Sequence, residues 1–419
     1  MTFEALHGTR GRPPQLPIVD GILYGAPLLD AYAAEELSAA PRNAAQPYVG
    51  VTVAGAVQAG LYQLADTGLQ PTETVEVALT FLAVLPPNER QVCQLPMDSK
   101  EWRLWTNAFP MWVAKGLRLE RISKEKRELI LAIISSSLSK LGYATTRDCM
   151  RLNGALGELI SGYRDSLTEF AYHFIVFGEP STTKPWGWQL MGHHVDISCV
   201  FVGTQMVLAP VFLGAEPNFS LSGTYAGTRA LDPETDRGLA LRRELTPQQE
   251  PACVLGASML SKDLPPELGG PFNGRHLAGA GQDNLVLPYE GIPASELTER
   301  QNELLIELIG VYIDRMPAGH AALKRRQVIE HLDETYFAWR GGHDDTSAFY
   351  YRVHSPVVLI EYDNHPGIFL DNDEPERFHI HTIVREPNGN DYGKDLLAQH
   401  YARQHIPGHP HLHRHDVTS

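Results

Sequence analysis

Apolar and polar positions alternate with different periods along this chain. Residues 1–50, rich in Pro, Gly and Ala, show weak periodicity and read as an extended arm lying over the surface. From about Val53 to Gly162 the rhythm is helical. Trp102, Leu104, Trp105 and Phe109 recur at three- and four-residue steps, and Ser123 can cap a run over 124–140 that carries Leu129, Ile130, Ile133 and Ile134. Ser137-x-x-Lys140 matches a short catalytic pattern, but its companion motifs are missing and a solvated helix end accounts for it better.

Near Ala171 the period changes to two. Tyr172–Phe177 reads as a strand, Trp186–Leu190 as a second and Val195–Val202 as a third. Gly203-Thr204-Gln205 then looks like a hairpin turn into Met206–Phe212. The chain is loop-rich from Gly214 to Ser295, with a helix predicted over 233–244. Two more helices follow at 299–314 and 321–333, and strands resume near Tyr336. Short strands joined by tight turns indicate antiparallel pairing. Strands, helices, then strands again predict an α+β domain over 51–405. Its helical part is 53–165, forming an N-terminal helical layer. Its largely antiparallel sheet is built from a central group (171–214) and a C-terminal group (336–387). Residues 406–419 form a flexible His-rich tail, which can capture metals nonspecifically.

The composition is that of an ordinary soluble protein, and a formal charge of −15 argues against a nucleic-acid partner. No apolar run reaches bilayer length and the N-terminus lacks a signal-like apolar stretch, so a cytoplasmic protein without a membrane partner is expected. Cys93, Cys149, Cys199 and Cys253 form no CxxC pair and suit buried thiols in a reducing compartment. The sequence has no nucleophile elbow, Walker loop, His-Glu-x-x-His helix or convincing dinucleotide fingerprint.

The chemistry gathers in the last fifth. On an extended strand Glu361 and Asp363 share a face, as do His379, His381 and Arg385, while Ile360, Tyr362, Ile380 and Val384 suit the packed face. The two imidazoles of His379-x-His381 leave the same side roughly 6.6 Å apart. Carboxylate and imidazole donors together suit Zn, Fe, Mn or Cu better than Mg or Ca. A metal-free polar network, with His379 and His381 bonded to Glu361 and Asp363, is the simpler alternative. In Gly192-His193-His194-Val195-Asp196, neighbours on a regular strand face opposite ways. Only one of His193 and His194 joins such a site unless a turn or bulge intervenes. Asp391, after the Asn388-Gly389 turn, either orients a ligand imidazole or caps a helix starting near Asp395. Arg352 and Arg385 either grip an anionic substrate or pair with Glu361 and Asp363.

The strings PWGWQLMGHHVD, FLGAEP, FYYRVHSPVVLIEYDNH and HIHTIVREPNGNDYGKDLLAQHY, with the helix around Gln301, resemble the proteins grouped as domain of unknown function 3500. The resemblance runs from about Pro47 and is densest over 186–214 and 350–401. It covers Trp188, His193, His194, Arg352, Glu361, Asp363, His379, His381, Arg385 and Asp391. The stretch from His365 to Glu376 is longer than the family form and reads as a surface loop or a lid.

The expected function is a divalent-metal-dependent enzyme on a small or medium anionic organic substrate. Its metal ligands are drawn from His193, His194, Glu361, His379 and His381, with zinc first among the candidates. Asp363, Asp391 and Arg385 are the candidate catalytic groups, and Arg352, Trp188 and Gln189 the candidate substrate contacts. Water activation is favoured over dioxygen activation. The alternatives are a metal-dependent oxidoreductase, a non-catalytic small-molecule binding protein, and a metal-free acid–base enzyme using a Glu361–His pair.

Overall fold

The computed structural model describes residues 41–404 except 108–114, 161–162, 266–267, 269–274, 368, 371 and 373, together with a short strand pair, Ile18–Val19 and Ile22–Leu23. Most of the predicted arm and the whole His-rich tail lie outside the described residues.

One sheet organises the chain. Its strands are β1 (Gln94–Leu95), β2 (Leu117–Arg118), β3 (Tyr172–Gly178), β4 (Trp186–Gly192), β5 (Val195–Val202), β6 (Gln205–Ala215), β7 (Val254–Gly256), β8 (Ile292–Pro293), β9 (Tyr336–Gly341), β10 (Phe349–His354), β11 (Leu359–Asn364) and β12 (Ile380–Arg385). The order is β8-β9-β10-β11-β12-β6-β5-β4-β3-β1, with β2 beside β3 and β7 beside β9. Among the described strands of this sheet, β1–β3 and β7–β9 pair in parallel and the rest antiparallel. The two predicted strand groups are consecutive meanders, and they meet where β6 pairs antiparallel with β12, from Ile380↔Ala215 to Val384↔Val211. The protein is α+β, as the change of period predicts.

The longer helices are α1 (Thr72–Ala83), α2 (Pro87–Cys93), α3 (Lys124–Ser137), α4 (Lys140–Leu159), α5 (Asp232–Arg243), α6 (Glu299–Ile313), α7 (Ala318–Glu330) and α8 (Lys394–Gln404). Ser123 caps α3, accepting from the Lys126 amide, and Thr298 with Gln301 forms a capping box on α6. Helix begins at Thr72 rather than Val53. Gly55, Gly60 and Gly68 all adopt positive φ between those points, which breaks any helix there. Around Trp102 the described residues form a 3-10 turn, Lys100–Arg103, yet Trp102 and Trp105 are buried, so there the spacing reported burial rather than an α-helix; Phe109 lies outside the described residues. Ser137 is buried at the end of α3, accepting from Trp188 Nε1 at 2.9 Å, while Lys140 is exposed.

The sheet has two unlike faces. On one, Trp339, Phe349, Tyr351 and Tyr362 stack in a row, and Tyr351 and Tyr362 bond to Glu234 and Thr235 of α5. The other face carries Tyr350, Arg352, Glu361, Asp363, His381, Arg385, Gln189 and Asp196, nearly all fully buried. Buried polar groups need partners. Here a loop spanning 275–290 supplies most of them. Among the described residues no helix is long and apolar enough to cross a membrane. All four cysteines are free and buried, and burial lifts the Cys93 and Cys253 thiols to about 12.

Candidate metal centre

Three strand ends converge at one edge of the polar face. His193 and His194 form the whole connection between β4 and β5, since Gly192 pairs with Val195. His194 takes a left-handed conformation, φ 64°, which costs a non-glycine residue about 1–2 kcal/mol. Three bonds hold the turn there. The His194 N–H donates to Asn107 O (3.1 Å), Gly214 N–H donates to His194 O (2.8 Å), and the Tyr172 hydroxyl donates to His193 O (3.0 Å). Pairing of β6 with β12 sets Gly214 opposite His381. A Cβ on Gly214 would lie 3.0 Å from the His381 ring and 3.2 Å from the His194 ring, so the glycine makes room for both imidazoles.

His194 Nε2 lies 3.2 Å from His379 Nε2 and 3.3 Å from His381 Nε2. His379 Nδ1 is 2.9 Å from Pro366 O, which places its proton on Nδ1 and leaves the Nε2 lone pair facing the centre. His381 Nδ1 faces Asp363 Oδ1 at 3.5 Å. Asp363 Oδ2 accepts from His276 Nδ1 at 2.7 Å, and its Oδ1 accepts from the Arg275 amide at 3.2 Å. His365 Nδ1 is 3.9 Å from the same Oδ1. All these side chains are buried.

Burial, reinforced by neighbouring imidazoles, holds His194, His365 and His379 well below the ordinary imidazole range. His381 is lowered too, by burial, against the opposing charge of Asp363. These rings are therefore neutral, with lone pairs available. For Asp363 burial pushes upward, but His381 and His276 outweigh it and keep the carboxyl ionised. Burial likewise opposes a charged His276, and the Asp363 charge and hydrogen bond raise it regardless.

The remaining predicted residues take other positions. His193 turns away from the centre: its Nδ1 is 2.8 Å from Asn153 Oδ1, and its ring stacks under His194 with centroids 3.9 Å apart. Glu361 does not face the three imidazoles. It accepts from the Leu277 and Ala278 amides (3.0 and 2.7 Å) and from the Tyr350 hydroxyl (2.6 Å). Arg385 donates to the carbonyls of Ala278 and Gly279, both at 2.7 Å, and pairs with Asp283 and Asp391 at 2.9 Å. Asp391 therefore binds Arg385 and the Glu386 amide and caps nothing. Asn390 Oδ1 receives the Leu396 amide of α8 instead. Burial raises the Asp391 carboxyl to about 6, against the pull of Arg385. Arg352 pairs with Glu290 at 2.5 Å. Trp188 lies on the helical face against Phe174, and Gln189 bonds Trp102 O and Ser198 within the polar face.

Two participants escaped the sequence reading. His276 stands alone in a loop, where no periodicity marks it. His365 continues the period-two row of Glu361 and Asp363, so extending that row by one step finds it. In the stretch after it, Phe369 and Leu370 are buried with Tyr163 and Leu156, so these two positions are not loop surface.

A tetrahedral zinc with bonds of about 2.0–2.1 Å to nitrogen separates its donors by about 3.3–3.4 Å. The two Nε2 separations match that spacing, and the donor set is neutral and directed inward. The three nitrogens also lie within 4.8 Å of one another, as do ligand atoms of His276, Asp363 and His381. The cleft of about 540 Å³ beside Lys324 and Glu386 contains none of these residues.

Fold and site together define an α+β protein with a buried histidine cluster compatible with a metal ion. The chain belongs to the family described as Protein of unknown function (DUF3500), which matches residues 67–394 and bears out the resemblance drawn from the tryptophan and histidine strings. No curated protein and no solved structure matches the chain.

Proposed function

We propose that this protein is a divalent-transition-metal-dependent enzyme that activates water against a small organic substrate. The observation that carries the reading is the convergence of three neutral Nε2 atoms, with His194 Nε2 3.2 and 3.3 Å from the other two. His194, His379 and His381 would hold the ion and leave a coordination position open, the arrangement of catalytic rather than structural sites. A metal so held supplies a water of lowered pKa and a polarising charge. Pro366 O fixes the His379 tautomer, Asp363 orients His381, and His276 can carry a proton on the nitrogen facing Asp363. Imidazole-only donors favour zinc and also accept iron or copper. The anionic-substrate expectation loses its support here, because Arg352 and Arg385 are both neutralised by acids of the chain. Deep burial favours a small substrate.

The test uses untagged full-length protein in which His409, His411, His413 and His415 are replaced by alanine to silence the tail. Cobalt(II) should bind tightly with absorption bands typical of nitrogen ligation, and azide should shift those bands by entering the open position. His194→Asn tolerates the left-handed turn, and it and His379→Ala should each abolish the azide-sensitive bands while the chain stays folded. A folded wild-type chain that takes up no cobalt overturns the proposal. A spectrum indifferent to azide and other small ligands overturns its catalytic part.

A further inference from the structure

We propose that the centre takes a second cation, held by His276, Asp363 and His381, so that the His381 imidazole links two ions. This rests on the single-ion reading above and adds a ligand set beyond it. Ligand atoms of these three residues lie within 4.8 Å of one another, and His381 belongs to both groupings. Its two ring nitrogens face different partners: Nε2 faces His194 at 3.3 Å, and Nδ1 faces Asp363 Oδ1 at 3.5 Å.

A second observation points to an occupant. His381 Nδ1 is buried and has no hydrogen-bond partner among the described residues, and the same holds for His365 Nδ1. Both face one carboxylate oxygen, at 3.5 and 3.9 Å. These gaps are long for a direct hydrogen bond. An atom bonded in common to His381 Nδ1 and Asp363 would occupy the shorter gap, since donors on one metal lie about 3 Å or more apart.

The fold also fixes His276 with unusual firmness. Glu361 takes the amides of Leu277 and Ala278, and Arg385 takes the carbonyls of Ala278 and Gly279. Two buried, oppositely charged side chains thus hold the three residues that follow His276. Asp363 adds the negative charge that three neutral imidazoles lack. The exchange balances. A divalent cation enters, the Nδ1 proton of His381 leaves to solvent as its ring becomes a bridging imidazolate, and the His276 ring keeps a proton on Nε2 while Nδ1 turns to the cation. Of the two positive charges that go in, one is matched by the departing proton and the other by the Asp363 carboxylate.

Cobalt(II) and copper(II) are the probes, with full-length protein carrying the four alanine replacements in the tail. Equilibrium dialysis should give two cobalt ions per chain, with about one proton released from His381 as the second enters. His276→Ala should weaken the second equivalent at least a hundredfold and leave the first. Saturation at one ion, unchanged in His276→Ala, overturns the second site and leaves the three-histidine centre standing. Saturation at none overturns both. A further readout needs no substitution: two copper ions linked through one imidazole couple magnetically, so the low-temperature resonance of the wild type should integrate to well under two spins. Two full spins overturn the shared His381.

Discussion

His194 spends its life in a conformation that favours glycine, yet the ring it carries is what the turn delivers. The neighbouring position shows the converse: Gly214 has ordinary strand geometry, and its lack of a side chain is what matters. An added methyl would meet Ile380 O at 2.8 Å and both imidazoles at 3.0–3.2 Å, closer than carbon contacts normally allow. Gly214→Ala is therefore expected to push the His194 and His381 rings apart. Overpacking of this kind costs about 1–3 kcal/mol. Cobalt affinity should fall at least tenfold while the melting transition stays cooperative; unchanged affinity would mean that the rings do not meet at Gly214. At Asp363 the expected effect is graded. Asp363→Asn removes the charge that orients His381 and should weaken metal binding by about 10–100-fold, as loss of an outer partner does, measured by competition with a chelator.

At the scale of elements, the informative unit is the clamp that Glu361 and Arg385 close on residues 277–279. Strand alternation put Glu361 on the face of Asp363 and His381, and that part was legible. It could not show that a loop some eighty residues upstream descends onto the same face and takes both carboxylate oxygens. Glu361→Gln separates the two roles. As a clamp residue it should cost about 1.5–3 kcal/mol, the range for hydrogen bonds to charged groups. It should also speed amide exchange at Leu277 and Ala278 while metal uptake by His194, His379 and His381 persists. Loss of all metal with intact loop protection would instead mark Glu361 as a ligand. The same contrast explains what else could be read. The strands, the Gly203-Thr204 turn, the Ser123 cap and the His379-x-His381 pair are local features, written in adjacent residues. The choice between His193 and His194 depends on one backbone angle in a two-residue turn. Partners that arrive through long-range closure, His276 and Asp283 above all, leave no local trace.

For the molecule as a whole, a face crowded with buried imidazoles makes the fold acid-sensitive. His193, His194, His354, His365, His379 and His381 are all held below the ordinary imidazole value, with burial the largest cause; His193 and His354 fall to about 3. The unfolded chain protonates these groups near pH 6.5, the fold only at lower pH. Their contribution is thus fully present above about pH 6.5 and is lost as pH falls towards the folded values. Three groups oppose this. His276 is raised, so its contribution is present below pH 6.5 and is lost as pH climbs through its folded value; Asp196, pushed well above the carboxylate range by burial, and Asp391, raised to about 6, favour the fold below the ordinary carboxylate range and lose that preference as pH rises through their folded values. Each proton of difference tilts stability by about 1.4 kcal/mol per pH unit, and six groups against three leave a net loss on acidification. The metal-free protein should take up protons on unfolding at pH 5.5, and its denaturant midpoint should fall steadily between pH 7 and pH 5. A bound cation competes with protons for the same nitrogens and stabilises the fold by mass action. With excess zinc the acid edge should therefore move to lower pH in the wild type and stay in place in His381→Ala, which removes the donor common to both ligand groups. An acid edge that zinc does not move in either protein would separate the imidazole cluster from metal binding altogether.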